Sequence, residues 1–367
     1  MNKMVLSNLA YRPIRSAISI LAVAIEVILI LLIVGFAIGV LNDTRTRQEG
    51  IGADVLVRPP GSSMMNAFNS ASVPVKVADV LAKQPHVAAV TPVAMHVTST
   101  TNIEIIYGID LKSFESVGGP FRFIEGGPFQ GPDDMMVDDY FASGNKVKVG
   151  ASIDLFNHKF RVCGIVQNGR GARRFIPITT MQELIDAPGK ASAFYVKLDE
   201  PSHAQLAVKE FHDIPGMSEY SIMTMRDVVS LLAPDHIPML SKFINFVMAI
   251  SVIIGFLVIF QSMYTAVMER TREIGILKSL GASKLYIVRV ILRETLLLAI
   301  AGVIVGIIVS LIAGAAIHHS DPTRPVQFTA GWMLRATAVA IIGALLGALY
   351  PAYKAAEKDP IDALAYE

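Results

Sequence analysis

Four stretches of this 367-residue chain carry almost no charge, and they restrict its fold more than any other feature. Ser16–Asn42 holds one formally charged side chain, Glu26; Phe243–Met268 has none in 26 positions, Thr295–Ile317 none in 23 and Ala336–Tyr353 none in 18. Apolar Trp332–Leu334 extends the last run beyond Arg335. At 1.5 Å per residue, each run as a helix covers a hydrocarbon layer roughly 30 Å thick. Only 17% of the residues are charged, against about 25% in an average soluble domain. The expected class is a membrane α-helical protein with four transmembrane helices.

The distribution of charge orients them. The N-terminal stretch holds Lys3, Arg12 and Arg15 and no acid, and Glu269–Arg293 holds six Lys/Arg against two acids. Basic short segments stay on the cytoplasmic side, which puts the N-terminus, the 269–293 segment and, after four spans, the C-terminus inside a cell (inner) membrane. Long loops cross regardless of charge, so the 18 Lys/Arg of 43–241 do not oppose its being outside. The first run is too long for the apolar core of a cleaved signal and reads as a retained anchor. The expected order is a cytoplasmic amphipathic segment (1–15), spans at 16–42, 242–268, 294–317 and 332–353, an extracytoplasmic domain (43–241), a cytoplasmic segment (269–293), a short external loop (318–331) and a cytoplasmic tail (354–367).

The 43–241 region reads as mixed α/β. Asp54–Arg58, Val87–Thr98 and 103–109 have strand character, and Val75–Lys83 has helical spacing. From Phe121 to about Pro177 short strands alternate with glycine and proline, and then strand, helix and strand return at Ala193–Lys197, His203–Phe211 and Tyr220–Met225. This predicts a discontinuous α/β part, 43–105 plus 190–228, carrying a β-rich insertion at 106–189.

Several constellations here invite a functional reading. Asp133, Asp134, Asp138 and Asp139 lack the spacing of a calcium loop and fit a solvated acidic turn. Arg170, Arg173 and Arg174 among glycines suit a surface hairpin better than a partner site. His318, His319 and Asp321 fit no strong metal motif, and no metal is expected. Cys163, the single cysteine, reads as a small buried hydrophobe. No serine, cysteine or histidine arrangement suggests nucleophilic catalysis, and the net charge of +1 does not suggest nucleic acid.

In the spans, Gly302, Gly306, Ser310 and Gly314 recur every four residues, as do Gly343 and Gly347, and Gly35 and Gly39. Such ridges let helix backbones approach closely in lipid. Glu26 stands near mid-depth, where a charge costs on the order of 3 kcal/mol. A structural hydrogen bond to a neighbouring helix is favoured over a role in substrate passage. Between the second and third spans, Glu269, Arg270, Arg272 and Glu273 open a helix with Ile274, Leu277 and Leu280 at three-residue steps and Gly281 as a stop. Gly275 within it costs about 1 kcal/mol relative to Ala, which makes sense if another backbone must come close. The residues alone also allow a helix lying passively on headgroups.

Glu-Arg-Thr-Arg-Glu-Ile-Gly-Ile-Leu-Lys-Ser-Leu-Gly-Ala-Ser (269–283) closely resembles the coupling helix of the FtsX-like permease superfamily, the MacB/LolC type of ABC transporter. Tyr350–Leu364 resembles the same family's tail, where Asp359 can cap a short helix beginning at Pro360. Phe123–Phe129 and Val147–Ile178 are similar to the β-rich part of the MacB extracytoplasmic domain, and Glu26 departs from the family's plainer first span. The resemblance implies a non-catalytic permease, a homodimer of two copies, and an ABC ATPase on a separate subunit that binds ATP and Mg. It also implies a lever mechanism rather than a tunnel. Glu269, Arg272, Glu273, Ile274, Gly275, Leu277, Lys278, Leu280 and Gly281 would face that ATPase, with Asp359 and Pro360 supporting the tail. The chain itself has no G-x-x-x-x-G-K-[ST] phosphate loop. The implied task is export or extraction of a lipid, lipoprotein, peptide or small toxic compound, with a periplasmic adaptor and outer-membrane channel as further partners. The alternative is an FtsX-like signalling permease that activates a cell-wall hydrolase; a membrane-anchored receptor without an ATPase leaves 269–283 unexplained.

Overall fold

The computed structural model describes residues 13–62, 72–98, 104–233 and 237–358. In chain order, helix α1 (Pro13–Glu49) leads to β1 (Val55–Arg58), β2 (Val73–Pro74), α2 (Val77–Leu81), β3 (Val87–Thr98) and β4 (Glu104–Ile109). Next come α3 (Leu111–Gly118), β5 (Phe123–Gly126), β6 (Asp134–Asp138), α4 (Asp139–Asn145), β7 (Ser152–Leu155), β8 (His158–Val166), β9 (Arg174–Pro177) and α5 (Ile178–Leu184). The domain closes with β10 (Lys190–Ala191), β11 (Ala193–Leu198), a 3₁₀ turn (Pro201–His203), α6 (Ala204–His212), β12 (Ser221–Thr224) and α7 (Met225–Leu231). Helices α8 (Pro238–Glu269), α9 (Thr271–Ser279), α10 (Lys284–Ser320) and α11 (Ala330–Glu357) complete the described chain. Contacts divide it into two compact units: α1 through Gly39 with Pro238–Ile317 and Val326 onward, and Val40–Ile237 with His318–Pro325.

Helices α1, α8, α10 and α11 are each long and apolar enough to cross a membrane. Small residues set their spacing. A Cβ added at Gly302 would lie 2.6 Å from Val23 Cβ, and one at Gly306 2.8 Å from Val27 Cβ, so α10 meets α1 along this ridge. A Cβ at Gly347 would lie 2.7 Å from the Phe256 carbonyl oxygen, which fixes α11 against α8. Gly343 has room, with Val252 at 3.8 Å. Apolar side chains such as Ile25, Ile253, Ile308 and Leu346 remain exposed around the bundle, as lipid contact requires.

The second unit is built on a ten-stranded sheet in the order β12-β1-β11-β3-β4-β9-β6-β8-β5, with β7 on β8; β4–β9 and β6–β8 are parallel. Alternate residues of a strand enter opposite faces. Val55 and Val57 join Phe194, Val196 and Phe211 on one side, while Leu56 joins Tyr195, Tyr107, Phe114 and Phe175 on the other. Segment 106–189, expected as an insertion, supplies β5–β9 and most of β4 to this same sheet. The outer edge of β4 is free to pair with β9 once β3 occupies the other, so the sheet continues through the expected boundary.

Candidate functional site

Local signals close the turn between α9 and α10. Gly281 adopts φ +91, a left-handed conformation that glycine reaches without strain. Its N–H donates to the Lys278 carbonyl (3.0 Å) and the Ala282 N–H to that of Leu277 (3.0 Å), the paired bonds of a Schellman stop. Ser283 then caps α10, its Oγ accepting from the Tyr286 N–H at 3.2 Å. The later part of the expected cytoplasmic segment 269–293, from Lys284 onward, is thus the first part of α10 itself.

The helix divides into two faces. Inward, Thr271 and Gly275 are buried one turn apart, and Ile274 packs on the apolar core of the bundle. Arg270 forms an ion pair with Glu294 of α10 at 3.0 Å, with 12% and 5% of the two side chains exposed. Lys278 Nζ donates to the Ala356 carbonyl (3.0 Å) and to that of Lys358, fastening α9 to the end of α11. Outward lie Glu269, Arg272, Glu273, Leu280 and Gly281, together with Ile276. Ile276 and Leu280 are 46% and 80% exposed, an apolar pair beside an arginine and a glutamate.

Four of the nine residues expected to face a partner therefore turn inward or halfway in: Ile274, Gly275, Leu277 and Lys278. Gly275 is buried within this chain, and Lys278 is already committed to carbonyls of α11. Ile276 escaped the sequence reading because three-residue spacing places Ile274, Leu277 and Leu280 together; helical rotation puts Ile276 and Leu280, four apart, on one face. Arg270–Glu294 also went unread, since 24 residues separate the partners. Asp359 and Pro360 lie outside the described residues.

Two family models match the chain: the MacB-like periplasmic core domain over residues 16–214 and the FtsX-like permease C-terminal over 245–360. The chain belongs to the MacB-type, FtsX-like permease family. The macrolide export ATP-binding/permease protein MacB of Neisseria meningitidis is 26% identical over 318 residues, covering 79% of this chain and 48% of that protein. MacB of Mannheimia succiniciproducens is 25% identical over 399 residues, covering 100% of this chain and 60% of that one. The permease thus spans about half the length of the curated relatives it matches. The solved periplasmic region of MacB from Actinobacillus actinomycetemcomitans is 17% identical, with a TM-score of 0.38 over 50% of this chain and 94% of that one.

Elsewhere in the permease, polar groups expected to be solvated prove structural. Arg173 is buried between Asp43 (2.9 Å) and Asp138 (3.0 Å), and Arg174 pairs with Glu104 at 2.8 Å, so this loop is no free surface hairpin. Arg47 also bonds Asp43 at 3.0 Å and donates to the Gly171 carbonyl at 2.9 Å. Gln48 joins Tyr107 and Tyr195 in a buried triangle of hydrogen bonds at 3.1–3.3 Å. The last turns of α1, from Asp43 to Gln48, are thereby anchored to the sheet domain. Burial pushes the Asp138 carboxyl up to about 6, with Arg173 opposing.

The acidic residues are individually occupied. Asp134 is buried and accepts from two backbone amides and Arg161, Asp138 caps α4 through the Phe141 N–H, and Asp133 meets His158 at 2.8 Å. Asp321 holds its own turn through Thr323 and Arg324. Burial raises the Cys163 thiol to about 11, in keeping with an inert side chain.

In the bundle, Glu26 is 3% exposed, yet among the described residues neither carboxyl oxygen has a hydrogen-bond partner. The expected interhelical hydrogen bond is absent because Glu26 faces Gly255: a Cβ there would lie 2.0 Å from Oε2. The polar contact between α1 and α8 is made instead by Ser19 and Ser262, 2.6 Å apart.

Proposed function

We propose that this permease is driven by an ABC ATPase that grips the outward face of α9, and that the resulting movement of the bundle is passed to the sheet domain to export or extract a substrate. The single observation that carries this reading is the two-faced helix. One side is locked to α10 and α11 by Arg270–Glu294 and Lys278, and the other offers Arg272, Glu273, Ile276 and Leu280 to a partner. A helix fastened in this way transmits a push instead of fraying. Continuous α1, whose last turns are anchored by Arg173 and Gln48, supplies a stiff element for passing motion onward.

In this reading ATP and Mg bind the ATPase, taken here as a separate subunit, and not the 367 residues of this sequence, which contain no phosphate loop. The α9 turn and both termini are cytoplasmic and the sheet domain extracytoplasmic, in agreement with the basic character of 269–293. Two copies act together, and an adaptor with an outer-membrane channel would carry the substrate onward. The substrate class is a lipid, lipoprotein, peptide or small toxic compound. The match to a MacB-like periplasmic core favours this over a hydrolase-activating role.

Affinity purification from native membranes in mild detergent, followed by mass spectrometry, tests the proposal. An ABC ATPase is expected with the wild type and is expected to be lost with Ile276→Asp/Leu280→Asp, whose substituted side chains are both exposed. Absence of an ATPase from the wild-type sample, or its full retention by the double variant, would overturn the reading.

A further inference from the structure

Two histidines and an aspartate meet where β3 begins and β11 ends: His86 lies 113 positions from Asp199 in sequence and His203 four. His86 Nδ1 lies 3.1 Å from Asp199 Oδ2, and His203 Nδ1 lies 3.0 Å from Asp199 Oδ1. The three ligand-type atoms fall within 4.8 Å of one another, and the imidazole centroids are 4.1 Å apart. Atoms bound at 2.0–2.2 Å to a tetrahedral metal stand about 3.3 Å apart, so little movement would bring all three onto one ion.

The backbone under this cluster is well defined. His86 has φ +64, a conformation uncommon outside glycine, and its carbonyl accepts from the Asp199 N–H at 2.9 Å. Leu198 pairs with Val87 on the neighbouring strand, so residues 86 and 199 are held side by side by the sheet. His203 closes the 3₁₀ turn that follows, and Glu200, on the same turn, donates its N–H to Asp199 Oδ1 at 2.7 Å. Rigid elements thus place each donor.

We propose that His86, Asp199 and His203 form a binding site for a divalent transition-metal ion of the zinc class, with solvent completing its coordination. Two imidazoles and one carboxylate suit zinc, copper(II) or nickel, whereas calcium and magnesium prefer all-oxygen sites. Binding displaces the protons now shared between the Nδ1 atoms and Asp199 and leaves both rings neutral with Nε2 protonated. The carboxylates around His203 are Asp199, Glu200 and Glu210, and the hydrogen bond to Asp199 leads in raising its pKa. Metal binding requires both imidazoles to be deprotonated at the ligating nitrogen, so affinity falls in acid.

The test uses the full chain in detergent, purified through a tag without histidine and stripped with chelator. Zinc is titrated by calorimetry, and cobalt by its visible absorption, which reports tetrahedral coordination. One equivalent is expected to bind. His86→Ala, Asp199→Asn and His203→Gln should each weaken binding by at least about tenfold, while His158→Ala, at a separate His–Asp pair, should not. Zinc should raise the melting temperature of the wild type and of His158→Ala but not of His203→Gln, a readout that stands even if another variant folds poorly. Equal binding by wild type and the His86→Ala/His203→Gln chain, or no binding by the wild type, would overturn the proposal; so would magnesium binding as well as zinc.

Discussion

In the bundle, the closest approaches between helices are made at the smallest residues, Gly302 and Gly306 of α10 against α1 and Gly347 of α11 against α8, and Ala340, Ala344, Ala348 and Ala352 lie within the core. In the sheet domain they are the largest, with Tyr107, Tyr195, Phe114, Phe160, Phe175, Phe194 and Phe211 fully buried. The solvent accounts for the difference. Water drives large apolar side chains together, whereas lipid offers no such drive between helices, and close backbone approach supplies the contact. Polar groups follow the same division. The domain buries charge in a partnered network around Arg173, while the bundle buries Glu26 with neither oxygen hydrogen-bonded among the described residues.

The contrast is broken most directly at Arg173. Replacing it with alanine leaves the Asp138 carboxylate without its cation, while Asp43 keeps Arg47, and removing one partner of a buried ion pair costs about 3–5 kcal/mol. Thermal or denaturant unfolding of Arg173→Ala should show a loss of that order. The Asp138 carboxyl, already raised to about 6, is easiest to bury when protonated. The defect should therefore be smallest below pH 6 and grow as pH rises through that value. A loss independent of pH would remove Asp138 from the account.

A smaller effect is expected in the bundle, and it depends on steric room alone. Gly347→Ala directs a methyl group to 2.7 Å from the Phe256 carbonyl oxygen, while the nearest atom to a methyl at Gly343 is 3.8 Å away. Overpacking typically costs about 1–3 kcal/mol, so melting in detergent should fall for Gly347→Ala and remain near wild type for Gly343→Ala. Equal behaviour of the two would mean that close approach does not organise this pair of helices.

The smallest effect lies on the domain surface. The hydrogen bonds from His203 and His86 lower Asp199 to about 2, and Asp199 raises His203. The Asp199 contribution is present above the unfolded value of 3.8 and is lost as pH falls toward 2. The His203 contribution is full below 6.5 and is lost as pH rises through its folded value. Metal-free His203→Gln should thus differ from wild type mainly between those limits, as a melting profile against pH would show. A difference largest at pH 9 would contradict the assignment.

Much of the architecture was legible because it rests on local or periodic signals. Uncharged runs marked the four long helices, the four-residue ridge in α10 marked a close-packed face though not its partner α1, and Gly281 marked the stop of α9. What escaped reading depends on partners far apart in sequence. Arg173 looked like a loop residue because Asp43 lies 130 positions away, and His86 was silent until β3 and β11 brought it to Asp199. At the candidate site, the motif located the helix but not its rotation. Only the positions of Lys278 and Glu294 partners separate the face that holds from the face that is offered.

Site-specific photo-crosslinking along α9 in native membranes tests the central claim most directly. A crosslinker replacing Leu280, 80% exposed, or Ile276 should capture a protein bearing an ATP-binding phosphate loop, while one replacing Thr271, 3% exposed, should not. Capture of that protein from 271 but not from 276 or 280, or of lipid alone from all three, would contradict the account.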